Sequence, residues 1–402
     1  MSDLIMMVAG EASGDLLGGA LLSALHTRLP DLRVIGVGGV RMREQGLHSE
    51  YDVNDLSVVG LVEVIRRLPR LWQVMGYLTR LLQQQRPSLL ITIDLPDFNF
   101  ILARRAKALG IRVVHYVSPQ VWAWRSGRIK KIARWIDHLL VLFPFEVGVY
   151  AHSGLAVTFV GHPLSYLAVA RHSRAEMRAR LSMRPDERLV VLLPGSRFGE
   201  LSRLLAPMLA SCRELQHRLQ NVRFVLALAD TLTVTDLASC WPADMVNLAA
   251  EGVRIEWRQG ETYSLLAAAD AALVASGTAT LEAALLDAPM VVVYRVNQLT
   301  YAIGRRVIRV PYISLANLVA GYGLVVERIQ HEVQAVRLAD DLQELLTDSG
   351  RVSQLRAGYS LVRESLSHAD RHPEDVIIEM LGGSARKGDF SVVQPLDRRE
   401  KE

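Results

Sequence analysis

Short runs of apolar residues alternate along most of the chain with longer segments whose apolar positions recur at helical spacing. Each run has the length of a buried strand, and strands that alternate with helices form parallel sheets. The pattern therefore predicts an α/β protein with two doubly wound domains that face each other across a cleft. The predicted strands of the two sets are Leu4–Ala9, Arg33–Val37, Leu89–Ile93, Val113–Val117, Leu139–Phe143 and Val157–Val160, then Leu189–Leu193, Val222–Leu228, Arg254–Trp257, Ala271–Ala275 and Met290–Tyr294.

A polar, arginine-rich stretch over residues 165–187 separates the two sets of strands. We predict a first Rossmann-like domain over residues 1–165 and a second over residues 166–345. The helical pattern that follows predicts helices over 346–381 that pack back toward the first domain. The polar residues 382–402 are predicted to form a mobile tail.

One stretch of the second set has the pattern of a phosphate site. The strand Ala271–Ala275 is followed by the turn Ser276–Thr278, and apolar residues at helical spacing then continue to Leu286. Small residues at a helix start leave backbone N–H groups open to a phosphate, which the helix dipole also favours. Glu282, about one turn later, is placed to accept hydroxyl groups of a sugar on that phosphate. The alternative is an ordinary strand-to-helix turn with a solvated glutamate.

A second turn of this kind follows the strand Leu189–Leu193 and opens onto another predicted helix. Arg197 lies at the start of that helix, with Ser196 beside it. A guanidinium group there can hold a diphosphate through two parallel hydrogen bonds, in addition to the backbone N–H groups.

Acidic side chains follow two strands of the first set. Asp94 and Asp97 come directly after Leu89–Ile93, and Glu11 and Ser13 lie in the turn after the first strand. Ligands of open α/β sheets collect at the carboxyl ends of strands, so acid–base chemistry is predicted there. The alternatives are a helix-capping role for Asp97, a structural anchor for Asp94 and local turn contacts for Glu11 and Ser13.

Residues 56–82 combine many apolar side chains with interspersed arginines, and Pro69 is expected to kink the segment. Apolar bulk among arginines is typical of a surface that dips into an anionic membrane interface. The alternative is an ordinary core helix with solvated arginines.

The composition narrows the class of protein. Of the 402 residues, 50% are hydrophobic and 22% are charged, which excludes a disordered chain. The net charge of +4 fits an anionic substrate or a membrane surface without requiring nucleic acid. Cys212 and Cys240 lack the spacing of a disulfide scaffold or a zinc site, and no apolar run approaches the ~20 residues of a membrane-spanning helix. These features indicate a cytoplasmic protein.

Seven segments together resemble the lipid-A-disaccharide synthases, bacterial glycosyltransferases of the GT-B fold. In chain order they are AGEASGD (9–15), IDLPDFN (93–99), HYVSPQVWAWR (115–125), GHPL (161–164), LPGSR (193–197), ASGTATLEAAL (275–285) and YISLANL (312–318). The resemblance implies transfer of a sugar from UDP-2,3-diacylglucosamine to 2,3-diacylglucosamine 1-phosphate, giving a β(1→6)-linked disaccharide and UDP. It also implies a metal-independent, cofactor-free enzyme on the inner face of the inner membrane, which favours the membrane interpretation of residues 56–82.

The resemblance further implies roles for individual residues. Asp97 matches the carboxylate proposed as base, with Asp94 as the second candidate, and Glu11 is expected to orient a sugar. The implied UDP-sugar residues are Ser196, Arg197, Ser276, Gly277, Thr278 and Glu282. Further site candidates are Ser13, Trp124, Arg125 and Asn317, and the alternative role of Asn317 is helix capping.

Three competing interpretations stay open from the sequence. The first is another GT-B enzyme, such as the UDP-GlcNAc transferase of peptidoglycan synthesis. The second is a non-catalytic protein that binds sugar nucleotides or membranes, and the third is a basic nucleic-acid binder, which the modest charge disfavours. The sequence leaves the oligomeric state open.

Overall fold

A computed structural model of the chain describes residues 3–56, 61–119, 126–245, 248, 251–307 and 310–382. The described strands are β1 (Leu4–Ala9), β2 (Arg33–Val37), β3 (Leu47–Tyr51), β4 (Leu89–Ile93), β5 (Arg112–Tyr116), β6 (His138–Val141), β7 (Ala156–Phe159), β8 (Arg188–Leu193), β9 (Val222–Leu228), β10 (Ile255–Gln259), β11 (Ala271–Ala275), β12 (Met290–Tyr294) and β13 (Val326–Ile329).

These strands form two parallel-strand sheets. The first sheet has the order β3-β2-β1-β4-β5-β6-β7, and the second has the order β10-β9-β8-β11-β12-β13. In each sheet the chain order reverses once, between β1 and β4 in the first and between β8 and β11 in the second. Because crevices for ligands open at such reversal points, the turns after these four strands are the places to look for a site.

Helices connect the strands. They are α1 (Ala12–Arg28), α2 (Val40–Glu44), α3 (Val53–Leu56), α4 (Leu61–Gln85), α5 (Pro96–Ala108), α6 (Ile129–Trp135), α7 (Pro144–Tyr150), α8 (Leu164–Leu167), α9 (Arg174–Arg180), α10 (Phe198–Arg218), α11 (Val234–Cys240), α12 (Thr262–Ala268), α13 (Thr278–Leu285), α14 (Gln298–Val307), α15 (Leu315–Ala320), α16 (Ala335–Thr347), α17 (Ser349–Ser367) and α18 (Pro373–Gly382). Three short 3₁₀ turns lie at Ser126–Arg128, Ala243–Met245 and Gln330–Glu332.

The chain divides into two units. The first comprises Met1–Val117, Ile132–Leu140 and Arg371–Glu402, and the second comprises Ser118–Lys131 and Val141–Asp370. The predicted boundary at residue 165 therefore differs from the observed division. Of the helices in the range 346–381, α17 belongs to the second unit, while α18 packs on α1 of the first.

The central strands are buried because they are apolar on both faces. Ile5–Ala9 of β1 and all of β8 after Arg188 lie in the interior, and β11 is buried along its whole length. A continuous apolar run of this kind is what a sheet covered by helices on both faces requires. It explains why the predicted bounds of β1, β2, β4, β9, β11 and β12 agree with the structure.

Helix α4 combines a core face with an exposed face. It continues through Pro69 from Leu61 to Gln85. Val74 and Met75 are buried, whereas Leu68 and Trp72 are 40% and 59% exposed. The predicted membrane segment is therefore partly core, since Met75 packs inside, and partly apolar surface.

Candidate active site

The predicted phosphate turn has the expected geometry at the end of β11. Ser276 N donates to Val293 O over 2.9 Å, which fixes the start of the turn on the sheet. Gly277 then caps α13 with a φ of 152°, a backbone conformation that side-chain-bearing residues rarely adopt. Thr278 is the first helical residue, so the free N–H groups of the helix start lie directly after the strand. The arrangement is suited to an anion.

Glu282 lies one turn into α13 and is held by a tyrosine. Tyr263 Oη donates to Glu282 Oε1 over 3.0 Å. Burial raises the pKa of Glu282, and the hydrogen bond from Tyr263 opposes that shift. Burial, together with the neighbouring Glu282 charge, raises the pKa of Tyr263. Tyr263 thus orients one carboxylate oxygen of Glu282.

The turn after β8 is built around Glu200. Gly195 has a φ of 111°, and a Cβ at this position would lie 2.3 Å from Glu200 Oε2, so only glycine fits. Glu200 Oε2 accepts from Ser196 N over 2.9 Å. Arg197 precedes the first residue of α10, and its side chain is 78% exposed, with Nη1 3.7 Å from Glu200 Oε1. Its guanidinium group is accessible to a ligand at the helix start.

A cavity of about 590 Å³ joins these two turns within the second unit. All six residues predicted to bind the UDP-sugar line it, namely Ser196, Arg197, Ser276, Gly277, Thr278 and Glu282. The turns come from β8 and β11, the neighbouring strands between which the second sheet reverses its order. The structure therefore brings the two sequence motifs together at the reversal point.

The cavity also contains residues that the sequence interpretation missed. Glu261 precedes α12 and Tyr263 lies in its first turn, Asp230 follows β9, and Arg171 precedes α9. The signal that could have found the first three is their position just after a strand of the second sheet. Nothing in the local pattern around Arg171 indicates a site.

Asn317 does not belong to the cavity lining. It is buried in α15, where its Nδ2 donates to Val325 O over 3.0 Å and to Glu327 Oε1 over 2.8 Å, and its Oδ1 accepts from Val325 N over 2.8 Å. The alternative role of helix capping is wrong, because Ser314 is the cap and its Oγ accepts from Asn317 N over 3.2 Å.

In the first unit, the turns after β1 and β4 are in contact. Ala9 pairs with Ile93 in the last register position of these strands. A Cβ at Gly10 would lie 2.3 Å from Leu95 Cβ, so the two turns meet at van der Waals distance only because residue 10 is glycine. The predicted acid–base residues therefore lie at the reversal point of the first sheet.

The two aspartates of this site differ in environment. Asp94 has a φ of 53°, and its Oδ1 accepts from Leu95 N over 2.8 Å. Partial burial raises the pKa of Asp94, although the bond from Leu95 N opposes the shift. Asp97 is exposed in the first turn of α5, directly after Pro96.

Glu11 and Ser13 are exposed at the start of α1, where Glu11 is the residue before the helix. The buried carboxylate of this loop is instead Asp15. It accepts from the N–H groups of Gly39, Arg41 and Met42 over 2.7, 3.1 and 3.1 Å, and so holds the start of α2. Asp15 is a structural anchor of the loop that presents Glu11.

Trp124 and Arg125 lie outside the described residues, as do residues 57–60 of the predicted membrane segment and the tail from residue 383. Within the described parts of the chain, no group of three or more His, Cys, Asp and Glu side chains is arranged to hold a metal ion. The helices there include none that combines the length and the apolar character needed to cross a membrane.

Comparisons with known proteins give relatives that match nearly the whole chain. A family model described as lipid-A-disaccharide synthetase matches residues 5–380. A lipid-A-disaccharide synthase of Geobacter metallireducens is 42% identical over 380 residues, which are 94% of this chain and 97% of the relative. One of Pseudomonas aeruginosa is 45% identical over 347 residues, which are 86% of this chain and 90% of the relative.

Solved structures share the fold at lower sequence identity. The calicheamicin glycosyltransferase CalG4 aligns with a TM-score of 0.58 and 15% identity, covering 96% of this chain and 100% of its own. A UDP-N-acetylglucosamine 2-epimerase gives 0.57 and 12%, covering 98% and 100%. A co-structure of S. aureus MnaA with UDP gives 0.57 and 12%, covering 97% and 100%. The predicted GT-B type fold is confirmed, and at these identities the likeness concerns the fold alone.

Proposed function

The chain belongs to the lipid-A-disaccharide synthase family, and from that membership we propose that the cavity of the second unit binds the UDP part of the sugar donor. The enzyme is a UDP-sugar-dependent glycosyltransferase of lipid A synthesis. The alternative of a peptidoglycan transferase is not favoured, because relatives named for lipid A synthesis match nearly the whole chain.

The observation that supports this UDP site is the convergence of two phosphate-type turns on one cavity. Arg197 and the start of α13 supply positive charge for the diphosphate, and Glu282 supplies an acceptor for ribose hydroxyls. The distance from the phosphate turn to Glu282 is one helical turn, about 5 Å, which suits a ribose that follows the phosphates. The MnaA structure of the same fold carries UDP according to its title.

We assign acceptor activation to the first unit. The acceptor 6-hydroxyl oxygen bonds to the anomeric carbon as the bond from that carbon to the UDP oxygen breaks, and the hydroxyl proton passes to Asp97. An α-linked donor and a β-linked product require such an inverting displacement, in which a base and stabilisation of the departing UDP both lower the barrier. Arg197 and the N–H groups of α13 stabilise the negative charge that develops on UDP. Asp94 is the alternative base, and Glu11 orients a sugar.

We further propose that the enzyme works as a peripheral protein on the inner face of the inner membrane. Both sugar substrates carry acyl chains, and the first unit exposes Leu68 and Trp72 on α4. Arg70 of the same helix is 44% exposed in its side chain and is bonded to Asp55.

The UDP site is tested by calorimetric titration of UDP into the wild type and Arg197→Gln. Loss of a charge-assisted contact worth about 1.5–3 kcal/mol lowers the affinity about ten- to hundredfold. The control is Arg203→Gln, because Arg203 lies on the same helix and bonds to Gly199 O outside the cavity lining. Equal UDP affinity of Arg197→Gln and the wild type would contradict the assignment. Incubation with donor and acceptor, followed by mass detection of the disaccharide phosphate, tests the reaction itself.

A further inference from the structure

The phosphate turn after β11 is tied to the segment that precedes α15. Ser276 Oγ donates to Ile313 O over 2.9 Å. Leu315 N donates to Thr280 Oγ1 over 3.2 Å, and that same hydroxyl donates to Gly277 O over 2.8 Å. The turn and the segment over residues 312–315 are therefore linked at two points, one on each side of Gly277.

The segment is itself held by one carboxylate, that of Glu327 on β13. Glu327 accepts from Ile313 N over 3.0 Å, from Ser314 N over 2.9 Å and from Asn317 Nδ2 over 2.8 Å. Two further bonds between Asn317 and Val325 fix the amide that contacts the carboxylate. One carboxylate thus accepts from two backbone N–H groups of the segment and from the amide of Asn317, so it restrains the segment at three points.

We infer that Glu327 is a positioning residue for the donor site, acting on the turn Ser276–Thr278 through residues 313–315. Glu327 does not line the cavity, so its effect is indirect. Backbone N–H groups bind a diphosphate well only when they are already oriented, and displacement of the turn weakens the bonds they make. The same network gives Asn317 a role, because its amide holds the Glu327 carboxylate. The inference rests on the proposed function of this turn as the diphosphate site.

The test compares Glu327→Gln with Asp341→Asn. The glutamine keeps the size of the side chain but replaces one acceptor oxygen by an NH₂ group, which faces backbone donors and cannot bond to them. Asp341 is a matched control: it is buried and binds Arg328, the next residue of β13, over 2.7 and 2.8 Å. Both variants remove a hydrogen-bonded carboxylate at the β13 edge of the sheet, so both lower the melting temperature.

We expect Glu327→Gln to bind UDP about tenfold more weakly and to raise KM for the donor while KM for the acceptor stays unchanged. Asp341→Asn keeps the UDP affinity of the wild type despite its lower melting temperature. Thr280→Val breaks the second link without altering Glu327, and it is expected to weaken UDP binding in the same way. It provides the test if Glu327→Gln does not fold.

Wild-type UDP affinity in the folded Glu327→Gln and Thr280→Val variants would overturn the inference and leave the UDP site intact. Equal weakening in Asp341→Asn would overturn it too, because the effect would then follow stability alone. If the wild type binds no UDP, the proposed function is itself contradicted.

Discussion

Glu282 and Tyr263 both line the cavity and are joined by a hydrogen bond. The carboxylate is partly buried, which disfavours its charged form, and the tyrosine hydroxyl compensates by donating to one of its oxygens. An ionised Glu282 can accept from ribose, whereas a protonated one loses part of that capacity. The hydrogen bond from Tyr263 thus favours the ionised form of Glu282 and opposes the effect of burial.

Tyr263→Phe is therefore expected to raise the pKa of Glu282 further. Because the variant protonates Glu282 at a higher pH, its UDP affinity falls earlier than that of the wild type as the pH is lowered from 8 to 5. At pH 8 we expect a decrease of about three- to tenfold, the value of one hydrogen bond of about 1 kcal/mol. Calorimetric titration of UDP across this range is the measurement. Tyr322→Phe, outside the cavity lining, is the control, and identical pH profiles for Tyr263→Phe and the wild type would refute the coupling.

Asp97→Asn is expected to lower turnover and to leave UDP binding unchanged. Removal of a general base lowers turnover by about 10²–10⁴-fold, while the UDP cavity in the second unit is unaffected. Asp97 also lies in the first turn of α5, where a negative charge stabilises the helix by about 0.3–1 kcal/mol, so the variant stays folded. The rate of disaccharide formation and the UDP affinity are measured together. Near-normal turnover would exclude Asp97 as the base, and a larger loss in Asp94→Asn would transfer the role to Asp94.

At the residue scale, the sequence predicts those site residues that a local pattern marks. Ser276, Gly277 and Arg197 follow from strand, turn and helix start, and each lines the cavity. The position of Tyr263 after β10 is a weak signal, whereas Glu327 contacts a segment that precedes it by more than ten residues, so no local spacing indicates its role. Asn317 shows the limit most clearly: its position near a helix start suggests a cap, yet its amide bonds to the strand that follows the helix.

At the scale of elements, α4 shows why one sequence pattern allows two interpretations. Its many apolar residues fit both a core helix and a membrane-facing surface. Val74 and Met75 are part of the core, whereas Leu68 and Trp72 are 40% and 59% exposed. The core interpretation therefore holds for Val74 and Met75, and the membrane role of the exposed residues stays a proposal. The edge strands β3 and β13 were not predicted, because LHSEY and VERI lack an apolar run. A strand is recognised in sequence by an apolar run or by strict alternation of polarity, and these two segments have neither.

Leu68→Ser with Trp72→Ser tests the exposed face of α4. These side chains are largely outside the core, so the double variant is expected to keep the wild-type melting temperature within a few degrees. It should lose most of its co-sedimentation with anionic phospholipid vesicles, because apolar burial in the interface is removed. Leu361→Ser with Trp257→Ser, also exposed, is the matched control in the second unit. Vesicle binding equal to that of the control would refute the membrane assignment. Met75→Ser, in contrast, should unfold the first unit.

At the scale of the whole molecule, the two sheets place their candidate site residues in the same way. In each, the chain reverses its strand order once, and the two turns that meet there carry the candidate chemistry: carboxylates after β1 and β4, and phosphate-type turns after β8 and β11. The sequence predicts two such sets because the apolar runs recur. It does not predict that residues 141–165, which the sequence pattern places in the first domain, belong to the second unit.

Buried histidines make the stability of the molecule dependent on pH. Burial lowers the pKa of His115 to about 3, and that of His138 and His162 to about 4, with the charge of Arg371 a smaller cause for His138. Each folded-state pKa lies below the unfolded value of about 6.5, so the unfolded chain binds more protons between these values. The stabilisation is therefore fully present above pH 6.5 and is lost as the pH falls toward 4.

The expected loss is about 1.4 kcal/mol per pH unit for each histidine below pH 6.5, which is large against a total stability of about 5–15 kcal/mol. His115→Asn isolates one contribution, because asparagine can still bond to Thr92 Oγ1, which lies 2.8 Å from His115 Nδ1, but does not titrate. The variant is less stable at pH 7.5 owing to the smaller side chain, yet its melting temperature should fall less steeply between pH 7 and pH 5 than that of the wild type. His152→Asn, at an exposed position, should keep the wild-type slope. Equal slopes for all three proteins in differential scanning calorimetry would show that burial of His115 does not contribute to the acid sensitivity.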